Sequence, residues 1–281
     1  MNHLVERVLL GPDWLRDAGR LSRNCLPPPL KRRALRTQAS LYRRLVFGAA
    51  QRPVQARILD FEVAAFSLKN LALLFREMFV DLDYFFEAPN RAPFILDCGS
   101  NIGMSVLFFK ALYPVATIIG FEPATATFDL LQRNVCRNEL RDVVVHQCAL
   151  GHDESMVDFF ESPEPGSLTA STNVLRSADN RQTVRQARLS SFIDRSVDFL
   201  KLDVEGAEWG VIDDLIETGR LSQIAQMSIE YHHHIEPSDD RLSEFLRRLE
   251  CNGFGYQMRA YLASRRCRGD FQNVLIYAYR K

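Results

Sequence analysis

Acidic side chains stand at the ends of two apolar stretches of this sequence, in a pattern that could serve acid–base chemistry. The stretch DFLKLDVEGAE places Asp203 directly after an apolar run and Glu205 two residues later. The stretch SIEYHHHIE places Glu230 and His232 after another apolar run. A positioned carboxylate or imidazole can take the proton of a weakly nucleophilic hydroxyl during reaction. The candidate catalytic residues are therefore Asp203, Glu205, Glu230 and His232.

Structural roles compete with catalysis at these positions. Asp203 precedes a helix expected to begin near Gly206 and could cap its N-terminus, which is worth about 1 kcal/mol. Glu205 could be a first-turn acid that the helix dipole favours. Glu208 is best interpreted as structural, because the apolar residues that follow it have the spacing of a buried helix face. Asp203 keeps the strongest claim to chemistry.

Three consecutive histidines end the second acidic stretch. Strand alternation would place Glu230, His232 and His234 on one side of the sheet and His233 on the other. A carboxylate beside His232 would give its imidazole a pKa suited to a base near neutral pH. Asp203, Glu230 and His232 could also hold a divalent ion, although their spacing matches no specific metal motif. We expect a site without a metal, and a solvated histidine loop is the alternative.

A glycine-containing loop, DCGSNIG, follows an earlier apolar run. Gly99 would allow a sharp turn, and Gly103 would allow close approach of backbone to ligand or of helix to sheet. The G-x-x-x-G spacing differs from the G-x-G-x-x-G of dinucleotide-binding enzymes. Pyrophosphate prefers open N–H groups with no acid beside them, whereas Asp97 suits a cationic or zwitterionic ligand such as S-adenosylmethionine.

A second acid supports a nucleoside ligand. Glu122 ends the next apolar run in GFEP, 19 residues after Gly103. An acid about 20 residues beyond the glycine loop accepts hydrogen bonds from ribose hydroxyls in nucleotide-binding βαβ units. Pro123 then prevents the strand from continuing. A solvated strand end or a helix cap is the simpler alternative for Glu122.

Apolar runs alternate with helical patterns from Pro93 to the C-terminus. FILDCG, ATIIGFEP, DVVVHQCALG, VDFLKLD, IAQMSIEYH and FQNVLIYAYR are typical of strands. Strands that are apolar throughout and separated by helices predict βαβ units and a parallel sheet covered on both faces. Such a doubly wound sheet binds its ligand beyond the carboxyl ends of its strands. We therefore expect the acids and the glycine loop to meet along one edge.

FILDCGSNIG, GFEP, CALG and FLKLDVEGAE, in this order, resemble the FkbM family of S-adenosylmethionine-dependent methyltransferases. The resemblance runs from about Phe94 to the C-terminus. It implies an α/β class I methyltransferase (Rossmann-like) fold: a doubly wound, mostly parallel seven-stranded sheet whose last strand is antiparallel. It also implies O-methylation of a sugar or polyketide hydroxyl.

The resemblance assigns cofactor contacts residue by residue. The amino-acid part of S-adenosylmethionine would be held by Asp97, Gly99, Asn101 and Gly103. Glu122 would hold the ribose. The turn at Cys148 and Ala149 would lie against the adenine.

The first 60 residues match nothing in the family core and differ in charge from the rest. They contain 12 Lys or Arg and 4 Asp or Glu, although the whole chain has a formal charge of zero. We predict a basic helical N-terminal extension at residues 1–60, a methyltransferase domain at 61–281 and a polar hairpin and loop insertion at 152–196. The basic segment could be a solvated helix face, or it could contact an anionic membrane surface or a protein partner.

The composition excludes several classes of protein. The chain has 281 residues, 47% hydrophobic and 25% charged, which is typical of globular domains. Zero net charge gives no reason to expect nucleic acid. Six cysteines without a C-x-x-C pair indicate reduced thiols, and no apolar window reaches the roughly 18 residues of a membrane span. We predict a cytoplasmic protein.

Three functions follow from these patterns. The leading hypothesis is an S-adenosylmethionine-dependent O-methyltransferase, with a small-molecule or glycan acceptor whose hydroxyl belongs to a carbohydrate, glycolipid or natural product. The second is a nicotinamide-dependent Rossmann oxidoreductase, which the missing third glycine and Asp97 disfavour. The third is a catalytically silent S-adenosylmethionine-binding module that acts through its basic arm.

Overall fold

The computed structural model describes residues 14–47, 54–161, 180–236, 238–260 and 271–281. The helices are α1 (14–23), α2 (Pro28–Phe47), α3 (Leu68–Phe75), α4 (Met104–Leu112), α5 (Thr125–Arg137), α6 (Glu208–Glu217) and α7 (Leu242–Cys251). The strands are β1 (Val54–Ile58), β2 (Phe61–Ala65), β3 (Phe94–Cys98), β4 (Thr117–Phe121), β5 (Val143–His146), β6 (Ala149–Gly151), β7 (Ser155–Glu161), β8 (Asn180–Arg188), β9 (Val197–Leu202), β10 (Ile224–His233), β11 (Phe254–Ala260) and β12 (Gln272–Arg280).

Seven strands form the main sheet in the order β11-β12-β10-β9-β3-β4-β5. The pairs from β10 to β5 are parallel, and β12 runs antiparallel to both β10 and β11. The predicted doubly wound, mostly parallel sheet with an antiparallel last strand is confirmed. The apolar runs did not indicate β11, because this edge strand is buried only at its first two residues.

Helices cover both faces of the sheet because its central strands are apolar throughout. All five residues of β3 and five of the six in β9 are buried. One face packs against α2, α3, α4 and α5, and the other packs against α6 and α7. Burial of each large apolar side chain contributes about 1.5–3 kcal/mol. Because the neighbouring strands from β10 to β5 run parallel, their carboxyl ends lie at one edge of the sheet. The loops at that edge can build a site.

The basic N-terminal segment packs on the first of these faces. Leu30, Ala34 and Leu41 of α2 are buried in the same core cluster as the helices that follow β3 and β4. Part of the segment, residues 1–13 and 48–53, lies outside the described residues. The boundary expected at residue 60 falls in the turn between β1 and β2, which pair antiparallel from Val54 with Ala65 to Ile58 with Phe61.

Strands β6, β7 and β8 form a small separate sheet. Its strand order is β6-β8-β7, with β7 and β8 antiparallel, and residues 162–179 lie outside the described residues. Across the described part of the chain, no helix combines the length and apolar character needed to cross a bilayer. The cytoplasmic location stays a prediction.

Candidate active site

The glycine loop after β3 passes directly against the end of β9. Gly99 has a φ of +83°, and a Cβ built on it would lie 1.9 Å from the backbone oxygen of Asp203. Only glycine fits this approach. The Gly99 amide donates to the Phe121 carbonyl at 3.0 Å, which ties the loop to β4 as well. The loop is thus fixed between two neighbouring strand ends.

Two of the predicted cofactor residues support this loop from behind the cavity. A Cβ on Gly103 would lie 2.9 Å from Leu131 Cδ1 of α5, so this glycine serves helix packing. Asp97 is fully buried, and its Oδ2 accepts a hydrogen bond from Ser105 Oγ at 2.5 Å. Its Oδ1 has no hydrogen-bond partner among the described residues and lies 3.7 Å from Lys201 Nζ. Burial raises the pKa of Asp97, although Lys201 opposes that shift.

Glu122 stands at the tip of β4 and organises the loop. Its Oε2 accepts from the Asn101 amide, and its Oε1 accepts from the Ala124 amide, both at 3.0 Å. Asn101 has a φ of +49°, a conformation that asparagine tolerates better than most residues. A carboxylate has about four acceptor positions, and the Glu122 side chain also lines the cavity between the strand ends. The capping role and the ribose role proposed for Glu122 are therefore compatible.

A cavity of about 320 Å³ opens between these strand ends. The predicted cofactor residues on its wall are Gly99, Asn101, Glu122, Cys148 and Ala149, and the predicted catalytic residues on its wall are Asp203, Glu205 and Glu230. Burial raises the pKa of the Cys148 thiol to about 11, so this cysteine is a neutral wall residue at pH 7.

Lys201 joins the ends of β3 and β9. Its Nζ donates to the Gly99 carbonyl at 2.6 Å and to Asp203 Oδ2 at 3.2 Å. Burial disfavours its charge, but the carboxylates of Asp203 and Asp97 outweigh burial and raise the pKa of Lys201. The amine is therefore a permanent cation between two acids.

Tyr84 lies between the two acids predicted to be catalytic. Its hydroxyl oxygen is 3.1 Å from Asp203 Oδ2 and 3.1 Å from Glu230 Oε2. Burial favours neutral Asp203, but Lys201 and His232 outweigh it and lower the pKa of Asp203. Burial and then the charge of Asp203 raise the pKa of Glu230 to about 7. The two carboxyls therefore differ in charge state near neutral pH.

His232 lies behind this pair, with a carboxylate next to each of its ring nitrogens. Its Nδ1 donates to Glu208 Oε1 at 2.9 Å, and its Nε2 lies 3.1 Å from Glu205 Oε2. Burial disfavours the charged ring, but Glu208 and Glu205 outweigh burial and raise the pKa of His232 well above its ordinary value. The ring is thus protonated at neutral pH, which differs from the expected base with a pKa near neutrality. Glu208, interpreted as structural, orients this ring.

The structure brings together three side chains that could hold a divalent ion, and one of them differs from the set considered in the sequence. The oxygen and nitrogen atoms of Asp203, Glu205 and His232 lie within 4.8 Å of one another, with Glu205 in place of Glu230. A divalent ion could replace the proton on His232 in this arrangement.

The end of β10 departs from strand alternation. Tyr231 packs on the opposite face from His232, with its ring 4.8 Å from that of Phe245. His234 has a φ of +57°, and its ring lies 3.8 Å from the ring of His233. His234 therefore accompanies His233, and the expectation that it shares a side with Glu230 is wrong.

Several wall residues gave no signal in the sequence. Glu77 comes from the π-helical turn Arg76–Asp81 that extends α3, and burial, then the charge of Glu230, raise the pKa of Glu77 to about 8. Asn273 of β12 donates to Glu230 Oε1. Tyr84 follows the π-helical turn. These residues precede β3 or sit on the antiparallel strand, so no strand-end motif pointed to them.

The order of the sheet, with its antiparallel strand between β10 and β11 and a glycine loop after β3, is that of the class I methyltransferase fold. The family described as the methyltransferase FkbM domain matches residues 97–258. The chain belongs to this family, which confirms the resemblance and disfavours the nicotinamide oxidoreductase.

Known proteins with similar sequences carry the same class name. Methyltransferase 1 of Beauveria bassiana (strain ARSEF 2860) is 35% identical over 180 residues, covering 56% of this chain and 72% of that protein. The 31-O-demethyl-FK506 methyltransferase FkbM of Streptomyces tacrolimicus is 33% identical over 93 residues, covering 32% and 35%. The crystal structure of methyltransferase FkbM from Methylobacillus flagellatus aligns with a TM-score of 0.48 and 16% identity, covering 98% of this chain and 60% of that one. The family assignment rests on the sequence matches.

Proposed function

We propose that this methyltransferase uses S-adenosylmethionine to methylate a hydroxyl group of a carbohydrate, glycolipid or natural product. The observation that carries the proposal is the carboxyl of Glu230, which lines the cavity and has a pKa of about 7. A sugar or alcohol hydroxyl must lose its proton as it attacks a methyl group. A base with a pKa near the working pH is best suited to take that proton.

The donor set of the cavity fits S-adenosylmethionine. Among the described residues, Asp97 keeps one buried oxygen without a hydrogen-bond partner, and Glu122 places a carboxylate on the cavity wall at the tip of β4. We assign the amino-acid part to the loop of Gly99 and Asn101, with Asp97 supporting it, and the ribose to Glu122. Cys148 and Ala149 would lie against the adenine. When bound, the cofactor supplies an electrophilic methyl group on a positively charged sulfur.

The acids of the cavity have separate tasks in this proposal. Glu230 accepts the hydroxyl proton through its carboxylate. Asp203 stays ionised, because Lys201 and His232 outweigh burial and lower its pKa. The Tyr84 hydroxyl is shared between Asp203 and Glu230 and can donate to Glu230 when that carboxyl ionises. The protonated ring of His232 keeps the pKa of Glu230 from rising further, because its positive charge favours the ionised carboxylate. Glu205 holds that ring and adds negative charge beside a cationic cofactor.

Apolar side chains on the cavity wall position the acceptor and exclude water. Leu74, Met78 and Phe271 line the cavity with apolar surface. Alignment of an acceptor against a bound electrophile can supply a large part of a rate enhancement. The relative from Streptomyces tacrolimicus is named for an acceptor that lacks a methyl group on oxygen, which supports a hydroxyl acceptor here. The silent-module alternative gives the Glu230 carboxyl on the cavity wall no task.

The test is methyl transfer from labelled S-adenosylmethionine to a panel of glycosides and hydroxylated polyketides. The product is analysed by mass spectrometry and NMR to find the atom that carries the new methyl group. The expected product is an O-methyl ether, and Glu230→Gln should lower the rate by about 10²–10⁴-fold. Glu154→Gln, at an exposed position, is the matched control. Transfer to nitrogen or carbon, or a fully active Glu230→Gln enzyme, would contradict the proposal.

A further inference from the structure

We propose that His233, His234 and Asp240 form a binding site for a late first-row divalent ion such as Zn²⁺, separate from the cavity. One ligand atom from each of these three side chains lies within 4.8 Å of the other two. No role in methyl transfer accounts for this cluster, because Glu230 and His232 face the other side of β10.

The left-handed backbone at the end of β10 creates the pair of imidazoles. His233 is the last residue of the strand, and the φ of +57° at His234 turns the next ring back onto it. The ring centroids are 3.8 Å apart, and His233 Nε2 lies 3.6 Å from Asp240 Oδ1. Two imidazoles and one carboxylate therefore converge from the end of a strand and from the residue two before α7.

Buried ring nitrogens without partners point to a missing ligand. His233 is 8% exposed, and its Nδ1 has no hydrogen-bond partner among the described residues. The Nδ1 of His234 is likewise buried without a partner in that part of the chain. Buried polar atoms in native proteins are nearly always paired, and an exception calls for a specific explanation such as a bound ion or water. A metal ion would satisfy the His234 ring at Nδ1, and His233 would reach the same ion through the Nε2 that faces Asp240.

The charges around the cluster favour a cation. Arg241 is occupied by Asp239, to which it donates at 2.7 and 2.6 Å. Asp240 is therefore left to face the imidazoles.

The ligand types select the kind of ion. Imidazole nitrogen suits Zn²⁺, Ni²⁺, Cu²⁺ and iron, whereas Mg²⁺ and Ca²⁺ prefer sites made of oxygen. Two histidines and one carboxylate are a set known from zinc sites, in which water takes the fourth position. The ion would tie the end of β10 to the start of α7, on the side of the strand that faces Phe245. Its role is to hold the segment that follows β10, the strand that carries Glu230.

The test is calorimetric titration of Zn²⁺ into untagged, metal-free protein. The expected result is one ion per chain, with affinity at least about tenfold lower in His234→Ala and in Asp240→Asn. Asp240 has an 81% exposed side chain, so its variant should fold normally, and circular dichroism checks both variants. Glu205→Gln changes the second possible ion cluster, in the cavity, and should leave the Zn²⁺ affinity within threefold.

Three results would overturn the proposal: no Zn²⁺ binding by the wild type, unchanged affinity in both folded variants, or loss of binding in Glu205→Gln alone. Co²⁺ provides a second readout. Co²⁺ that is bound by imidazole with a low coordination number gives a visible absorption band. That band should disappear in His234→Ala. Its persistence in His234→Ala would also count against the site.

Discussion

The hydroxyl oxygen of Tyr84 lies 3.1 Å from Oδ2 of Asp203, although 119 positions separate the two residues in sequence. The same oxygen lies 3.1 Å from Oε2 of Glu230. A tyrosine hydroxyl has a single proton, so it can donate to one carboxylate at a time. Lys201 keeps Asp203 ionised. Glu230 is therefore the member of the pair that carries a proton at lower pH. This relationship underlies the pH behaviour of the site.

The rate of methyl transfer should rise with pH through about 7. The ionised carboxylate of Glu230 is the active form, and its pKa is about 7. Below that pH, kcat/KM should fall about tenfold for each pH unit, because kcat/KM reports ionisations of the free enzyme. Initial rates between pH 5.5 and 9 with an accepted hydroxyl compound measure this limb. A profile that is flat from pH 5.5 to 8 would assign proton removal to another group.

Tyr84→Phe should move this limb to higher pH. The hydrogen bond from Tyr84 stabilises ionised Glu230, so its loss raises the pKa of Glu230 above about 7. The affinity for S-adenosylmethionine should stay within threefold, since Tyr84 is not among the residues assigned to the cofactor. The pH profile of kcat/KM in the variant, compared with calorimetric affinity for the cofactor, separates the two effects. An unchanged profile would mean that Tyr84 does not act on Glu230.

Glu77→Gln should stabilise the fold at alkaline pH. The pKa of Glu77 is raised from an ordinary 4.5 to about 8 in the folded state. The folded state therefore binds more protons than the unfolded state between these two values, and stability falls as pH rises from 4.5 to 8. The neutral amide removes this penalty. Thermal denaturation at pH 9 should give a higher melting temperature for the variant, by about 2–4 °C for each kcal/mol recovered.

The same comparison at pH 5 is the internal control for Glu77. At that pH the wild-type side chain is already neutral in the fold, so the two melting temperatures should nearly coincide. Equal stabilisation at both pH values would show that ionisation is not the cause.

Gly99→Ala should disrupt both cofactor binding and stability. The added Cβ would lie 1.9 Å from the backbone oxygen of Asp203, and the φ of +83° disfavours any side chain. Gly219→Ala is the matched control, because Gly219 has a φ of +70° but no atom within 4 Å of the added Cβ. The control should cost only about 1–2 kcal/mol of backbone strain. Urea denaturation should show a clearly larger loss for Gly99→Ala; equal losses would mean that the close approach carries no weight.

The sequence alone predicted the strand-end residues because the geometry of parallel sheets dictates where they meet. Asp97, Glu122, Asp203 and Glu230 each end an apolar run, and parallel strands bring such ends to one edge. The order and direction of the strands followed from the resemblance to a known family. These parts depend on local patterns and on a recurrent topology.

The remaining features depend on contacts between distant segments. Tyr84 and Glu77 reach the cavity from the chain before β3, where no motif marks them. The protonated state of His232 depends on Glu208, which comes from the start of α6 and pairs with it across the fold. The return of His234 onto His233 depends on one backbone angle. None of these follows from strand alternation or from spacing.

The most direct measurement is calorimetric titration of the purified protein with S-adenosylmethionine and, separately, with NAD. The proposed site predicts one S-adenosylmethionine per chain, no binding of NAD, and weaker cofactor binding in Glu122→Gln. Binding of NAD without binding of S-adenosylmethionine would contradict the central claim.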